Sequence, residues 1–516
     1  MAPPVVVVGS GAAGLAAALA AAHAGADVLV LEAADAIGGT TAISGGVVWA
    51  PGNAFDDSDP ADAHTYVQAV AHGDVDRAAL DTFVDDAGRV MAAIEDRTPL
   101  RWAPLPGWPD YHSEFPGGSD GGRSVWPTPM TLPAAVAERV QHAPDSRGRP
   151  ATDADGAITD AMVFRGPVRG QALVGGLLAG LIVAGAEIRT GARVHRLHRS
   201  DSGIDGVQLA GERIEGRVIL TTGGFQHDPV LRSTFLAAPG VVPLGTPDCN
   251  GAGLRMAMAA GSGLGNMTEG WWMPALTIPG EQLNDKAYSR PLHSERAQPG
   301  SILVDRHGER FVDEAQNYCD VGRAMQRFDA GSYSYPASPC WMVFDAGYRS
   351  RYPVGPLDPA EPGDREPEWL FRADDLTGLA EQLQIPSAAL AATVDRFNAG
   401  AVKGEDLDFG RGSRPYDRWI GDPRAPHPTL APLVDGPFFA IRVDLGCMGT
   451  KGGPRTDDRG RVLDIGGRTL PGLYAAGNAA ASAFGIGVAA GGGTIGPALV
   501  FGDRAGGAAA GDGGSA

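Results

Sequence analysis

Gly9, Gly11 and Gly14 follow the run Val5-Val6-Val7-Val8, and Glu32 closes a second apolar run, Val28-Leu29-Val30-Leu31. Each residue type has a task at its position. Gly9 lets the chain turn out of a strand, and Gly11 lets backbone approach a pyrophosphate. Gly14 lets the following helix lie close to the sheet. Ala12 and Ala13 open that helix, so its unsatisfied N–H groups and partial positive charge face the phosphates. Glu32, 18 positions after Gly14, stands where an acid takes a ribose diol and disfavours a 2′-phosphate. The pattern of strand, tight turn, helix, strand and acid is that of a dinucleotide site. Glu32 alone does not separate NAD from FAD.

A second Gly-rich segment lies at the far end: Gly472-Leu473-Tyr474-Ala475-Ala476-Gly477-Asn478, then Gly491-Gly492-Gly493-Thr494-Ile495-Gly496-Pro497. It implies that the C-terminal region returns to close the same site. Between the two, Gly38-Gly39-Thr40-Thr41 and Ser44-Gly45-Gly46 are loops whose backbone amides can reach phosphate and a ring system. Together these segments point to a flavoprotein oxidoreductase.

The elements that must hold these groups read as α/β. A first β-α-β unit spans residues 4–50, and the pattern resumes over 168–222 with a helix near 170–184 and strands near 187–189, 193–197 and 217–220. Further helices are expected over 131–142, 251–260 and 386–398, and the tail 506–516 as frayed chain. From residue 271 Trp271-Trp272 and many prolines mark a new unit, and after 435 the Gly-rich pattern returns. The expected organisation is a discontinuous Rossmann-like cofactor domain (1–270 and 435–516) with an α+β substrate domain inserted at 271–434. The 75 glycines among 516 residues are about double the usual ~7% share and fall in turns rather than in a repeat.

The formal charge of −19 argues against nucleic acid and anionic membrane surfaces. Cys249, Cys319, Cys340 and Cys447 form no C-x-x-C pair and read as buried thiols in a reducing cytoplasm. No basic, apolar leader precedes the first strand, and the apolar run 172–186 is too short and too Gly-broken to span a bilayer. No metal-ligand spacing, P-loop or nucleophile elbow is present.

Six segments, two of them overlapping, carry a resemblance. Gly38 to Gly46 and Gly308-Glu309-Arg310-Phe311-Val312-Asp313-Glu314 resemble the flavoproteins of the fumarate reductase/succinate dehydrogenase superfamily. Within it, Asp110 to Gly118, Phe311 to Tyr318, Leu445 to Gly453 and Thr494 to Ala498 resemble the 3-ketosteroid dehydrogenases. The resemblance spans nearly the whole chain. It implies non-covalent FAD, since no His stands in the Gly38–Gly46 loop, and removal of two hydrogens beside the ketone of a small apolar cyclic substrate. A base takes the α proton, a hydride passes to flavin, a hydrogen bond holds the carbonyl oxygen, and an acceptor such as a quinone reoxidises the cofactor. On this resemblance Tyr318 is the base, Tyr111 its support and the Gly492 N–H the carbonyl clamp. The cofactor residues are Gly9, Gly11, Ala12, Ala13, Gly14, Glu32, Gly39, Thr40, Thr41, Ser44, Gly45, Gly46, Val194, Gly224, Gly477, Asn478, Gly493 and Ile495. One departure stands out: Val488 occupies the position of the family's clamping tyrosine, which implies another donor or a substrate other than the usual steroid.

Trp108, Trp271, Trp272 and Phe484 are candidate walls of an apolar pocket or ordinary core. Two other functions fit the same fold. A reductase of an activated C=C bond would need cationic groups for carboxylates; Arg290, His293 and Arg296 are candidates, with a solvated surface loop the favoured reading of that cluster. A flavin-binding protein without catalysis would need neither tyrosine.

Overall fold

The computed structural model describes residues 3–141, 169–283, 285–360 and 366–511. The chain forms two compact units: Met1–Leu236 with Gly245–Gly270 and Gly449–Ala516, and Ala237–Leu244 with Trp271–Met448.

The first unit is built on a six-stranded sheet in the order Arg461–Leu463, Thr469–Ala475, Arg217–Leu220, Val5–Val8, Val28–Leu31, Glu187–Arg189. All neighbours are parallel except the first pair. Val5–Val8 lies at its centre with every side chain buried, which is why that strand reads as an unbroken apolar run rather than an alternation. The helix Ala12–His23 is apolar on nearly all sides because the sheet covers one face and the C-terminal helix Ile495–Gly511 another. The C-terminal helix comes close because it lacks side chains at the crossing. A Cβ on Gly506 would stand 2.0 Å from the Ala17 carbonyl oxygen. The chain from residue 506 to 511 is therefore helical rather than frayed; 512–516 lie outside the described residues.

One further local expectation is corrected. The helix expected over 131–142 is a single turn, Ala134–Ala137, since Gln141 N and Arg139 O bond to Ile37 instead of continuing it; residue 142 lies outside the described residues. Trp102–Pro104 and Ser124–Pro127 form a small sheet with Val48–Trp49.

The second unit centres on a largely antiparallel sheet in the order Lys286–Pro291, Gly270–Leu283, Phe438–Thr450, Cys340–Asp345, Ser301–Val304, with Leu370–Ala373 also on Phe438–Thr450. Helices Leu376–Leu383 and Ser387–Ala401 cover Ile302, Val304 and Val343 in its core. Residues 438–443 pair with Cys340–Asp345, so the stretch from 435 to 448 folds with this unit. The short helix Tyr318–Ala324 is capped by Asn317, whose Oδ1 accepts from Asp320 N at 3.1 Å.

The helix crossing gives the first prediction. Gly506→Val forces a branched side chain into backbone, and the expected cost is about 1–3 kcal/mol, read as a lower thermal midpoint. An unchanged midpoint would show that the two helices are not in close contact.

Candidate functional site

In the first unit, strand Val5–Val8 ends at Gly9 and the helix begins at Ala12 with Gly11 as a cap that has no side chain. Ala12 N donates to Thr41 Oγ1 at 3.1 Å. The N–H groups of Ala13 and Gly14 have no protein acceptor among the described residues, as an anion site at a helix start requires. A Cβ on Gly11 would meet only Thr41 Oγ1, at 3.6 Å, and otherwise fill the space before the helix, while one on Gly14 would collide with the Gly9 carbonyl oxygen at 2.0 Å. This cradle fits a pyrophosphate and would not fit it with larger residues.

Glu32 is buried and positioned from both sides. Its Oε2 accepts from Ser10 N (3.0 Å) and Ser10 Oγ (2.5 Å), and its Oε1 accepts from Ala34 N (2.9 Å). Two donors fill the lone pairs of Oε2, whereas Oε1 has one left to accept from a ribose hydroxyl. Gly38 N donates back to Ser10 Oγ at 2.9 Å, which ties the acid to the next loop. Val194 is buried two residues after Ala192, whose N bonds to the Glu32 carbonyl. Ser10 was not among the candidates from sequence; a small polar residue between two fingerprint glycines was its only signal.

Gly39, Thr40 and Thr41 form one helical turn, Gly39–Ala42. Thr40 Oγ1 lies 3.2 Å from Thr246 Oγ1. Ser44 Oγ donates to Thr41 O (2.7 Å) and accepts from Gly46 N (3.1 Å), so Gly45 sits in a closed turn. Gly224 lies against Thr450, whose Oγ1 accepts from Phe225 N. The C-terminal segment reaches the same helix start. Ala476 N bonds to Leu220 O, and a Cβ on Gly477 would stand 2.9 Å from Ala13 Cβ, with Asn478 next in a 3-10 turn. Gly493 precedes Ile495, the first residue of the C-terminal helix.

Gly492 has φ +90°, and a Cβ there would lie 2.5 Å from Trp49 N, so only glycine fits. Its own N–H has no protein acceptor among the described residues. Tyr111 is buried and its N donates to Ala489 O at 3.0 Å; the same carbonyl accepts from Tyr66 Oη at 2.6 Å. Asp110, beside Tyr111, accepts from Trp49 Nε1 (2.7 Å), Ser119 N (3.0 Å) and Arg123 Nη1 (2.8 Å). Burial pushes its carboxyl up to about 6, with Arg123 and the Trp49 hydrogen bond pulling the other way. Lys451, fully buried, donates Nζ to the carbonyls of Gly485, Ile486 and Gly487 at 3.2, 3.1 and 2.7 Å. Val488 is buried and its side chain brings no polar atom. Phe484 packs with Trp49 and Phe83 in the core, whereas the Trp108 ring lies over Gly491.

In the second unit, Tyr318 is half-buried at the first turn of its helix, against Leu244, Met273 and Ala275 with Val242 and Met448. The His293 ring is tilted 51° to it, centroids 5.6 Å apart. Trp271 and Trp272 are both buried, Trp272 against Gly322 of the same helix.

The cluster of Arg290, His293 and Arg296 is not a solvated surface loop. Arg296 is fully buried and donates Nη1 to the carbonyls of Glu314 and Gln316. Arg290 is paired with Glu281. Burial, and then Arg296, push the His293 imidazole down to about 3. The three do not form a cationic site for a dicarboxylate. Instead, Arg296 grips the loop that leads to Tyr318. Glu314 in that loop receives Arg310 and Arg411; burial raises its carboxyl, but the two guanidiniums outweigh it and hold it low.

The chain belongs to the FAD binding domain family, which it matches over residues 4–495. It is 39% identical to the 4-oxocyclohexanecarboxylate 2-dehydrogenase of Sinomonas cyclohexanicum, covering 97% of this chain and 92% of that protein. It is 34% identical to a 3-oxosteroid 1-dehydrogenase of Mycolicibacterium smegmatis, over 96% of this chain and 95% of that protein. The crystal structure of 3-ketosteroid Δ1-dehydrogenase from Sterolibacterium denitrificans in complex with 1,4-androstadiene-3,17-dione superposes with a TM-score of 0.89 at 31% identity, covering 99% of both chains. The chain is an FAD-dependent dehydrogenase resembling the 3-ketosteroid dehydrogenases, with an α/β cofactor fold. No helix among the described residues is long and apolar enough to cross a membrane.

The His293 environment gives a pH prediction. An unfolded histidine takes its proton near 6.5, the folded one near 3, so the stability from the neutral ring is whole above pH 6.5 and is lost as pH falls towards 3. His293→Gln removes this term. Between pH 6.5 and 5 the wild type should lose stability relative to the variant by on the order of 1 kcal/mol per pH unit, measured by urea unfolding. Parallel curves would show that the ring takes its proton as readily in the folded chain as in the unfolded one.

Proposed function

We propose that this chain binds FAD non-covalently through the Gly9–Glu32 cradle and the returning Gly477–Ile495 segment, and removes two hydrogens from adjacent carbons beside the ketone of a cyclic substrate. Bound FAD supplies the acceptor for the hydride that leaves the β carbon. The chain's own residues handle the carbonyl and the proton. The Gly492 N–H takes the carbonyl oxygen and favours the charge that grows there as the α proton leaves. Tyr318 Oη takes that proton. A phenol near pKa ~10 is a weak base at neutral pH, and Tyr111 is assigned to favour its ionised form.

The observation that carries this reading is the Gly492 N–H, which has no protein acceptor among the described residues and stands at a turn that only glycine can make. With Val488 bringing no hydroxyl, this N–H bears the polarisation of the ketone among the assigned groups. The assignment of a cyclic ketone rests on the named activities of the relatives. A quinone-type acceptor and a cytoplasmic location complete the proposal, the latter supported by four buried free thiols.

Tyr318→Phe tests the base. The variant should keep its FAD and lose about 10²- to 10⁴-fold in kcat towards a cyclic ketone. Wild-type turnover by an FAD-replete variant would remove Tyr318 from that role.

A further inference from the structure

The direction of the Gly492 N–H is set by one peptide plane, and a side chain of the small sheet holds that plane. In a trans peptide the C=O of one residue and the N–H of the next point in opposite directions. The Gly492 N–H therefore points away from wherever the Gly491 carbonyl points. That carbonyl accepts from Ser124 Oγ at 3.1 Å, and Ser124 is only 2% exposed.

The neighbouring peptides are held by other groups. Gly492 O accepts from Trp49 N at 3.2 Å and from Gly496 N at 2.9 Å, and Ala490 O accepts from Gly493 N at 3.0 Å. Ala489 O is taken by Tyr66 Oη and Tyr111 N, and the carbonyls of residues 485–487 by Lys451. Trp49 and Ser124 face each other across the small sheet, in register. One ribbon thus grips two successive carbonyls, Gly491 through the Ser124 hydroxyl and Gly492 through the Trp49 backbone. The two contacts differ in kind. The Trp49 contact survives any side-chain change at that position. The Ser124 contact is a single hydroxyl, next to two glycines whose backbone has the freedom to rotate.

We propose that Ser124 is a positioning residue for the dehydrogenation: its hydroxyl holds the Gly491 carbonyl so that the Gly492 N–H faces the substrate oxygen. This rests on the clamp assigned to Gly492. Without the hydroxyl, the buried Gly491 carbonyl loses its donor, which favours rotation of the 491–492 peptide towards another partner. The clamp N–H then turns away while the pocket walls stay in place.

The test uses holoenzyme carrying Ser124→Ala, Ser124→Thr and Ser124→Val. Thr and Val have the same shape and differ in the hydroxyl. Two readouts are taken: steady-state kinetics with a cyclic ketone, and the Kd of p-nitrophenol from difference absorbance at a pH where it is ionised. Its phenolate mimics the enolate and has no hydrogens to give up, so this second readout is independent of turnover. The expected result is that Ala and Val lower kcat about 10- to 100-fold, short of the loss from deleting an oxyanion donor, with KM within about twofold. They also weaken p-nitrophenolate binding about tenfold, and Thr restores both relative to Val. Equal behaviour of Thr and Val, or wild-type values for Ala on both readouts, would overturn the role of Ser124 and leave the Gly492 clamp standing. Failure of the wild type itself to bind p-nitrophenolate would remove the clamp, and this inference with it.

Discussion

The backbone of two helices meets at the centre of the first unit, and the cofactor cradle depends on it. The helix Ala12–His23 offers Ala13 and Ala17 where the C-terminal helix crosses it, and the C-terminal helix answers with Gly502 and Gly506. Cβ atoms on those glycines would stand 2.4 and 2.0 Å from the carbonyl oxygens of Ala13 and Ala17. At such separations the residues that start the chain and those that end it become one wall. Gly477 comes to the face of Ala13, and the Gly491–Gly493 turn comes against Val47 and Trp49. The high glycine content of this chain is accounted for here and in the loops: the unit is assembled from backbone surfaces.

Close backbone packing leaves polar groups in places water does not reach, and a buried polar group without a partner costs free energy. Each unit meets this with a buried ionic assembly beside a tyrosine of the proposed site. Asp110, paired with Arg123 and bonded to Trp49, precedes Tyr111. Glu314, between Arg310 and Arg411, lies four residues before Tyr318, and Arg296 holds the intervening carbonyls. Lys451 does the same for the segment before Gly492. Such pairs are weak sources of net stability, because desolvation consumes most of the attraction. Their structural effect is to restrict the backbone to one arrangement, which suits the roles proposed for the two tyrosines and the Gly492 N–H.

The cofactor half was legible because its signal is local. The fingerprint glycines, the flanking apolar strands and Glu32 lie within one β-α-β unit, and the central strands, the helix near 170–184 and the return at Gly477 follow from the same pattern. The small sheet of Val48–Trp49, Trp102–Pro104 and Ser124–Pro127 was not legible, since strands of two to four residues are shorter than any periodicity. Nor were the partners of the site. Arg296 sits in a stretch with the composition of a surface loop, and its burial is matched by the carbonyls of Glu314 and Gln316, 18 and 20 positions further on. Ser124 is an ordinary residue in sequence, and its meaning arises from a hydrogen bond to a carbonyl 367 positions away.

The central claim is that this fold removes hydrogen from a cyclic ketone, and flavin absorbance reads it directly. Purified holoenzyme, kept free of oxygen, is titrated with 4-oxocyclohexanecarboxylate and separately with a 3-oxosteroid. Bleaching of the visible flavin band by one of these ketones, with formation of the corresponding enone, is the predicted result. A band that neither ketone bleaches, in enzyme that dithionite reduces and an unsaturated acid or enone reoxidises, would contradict the account and make the chain a reductase.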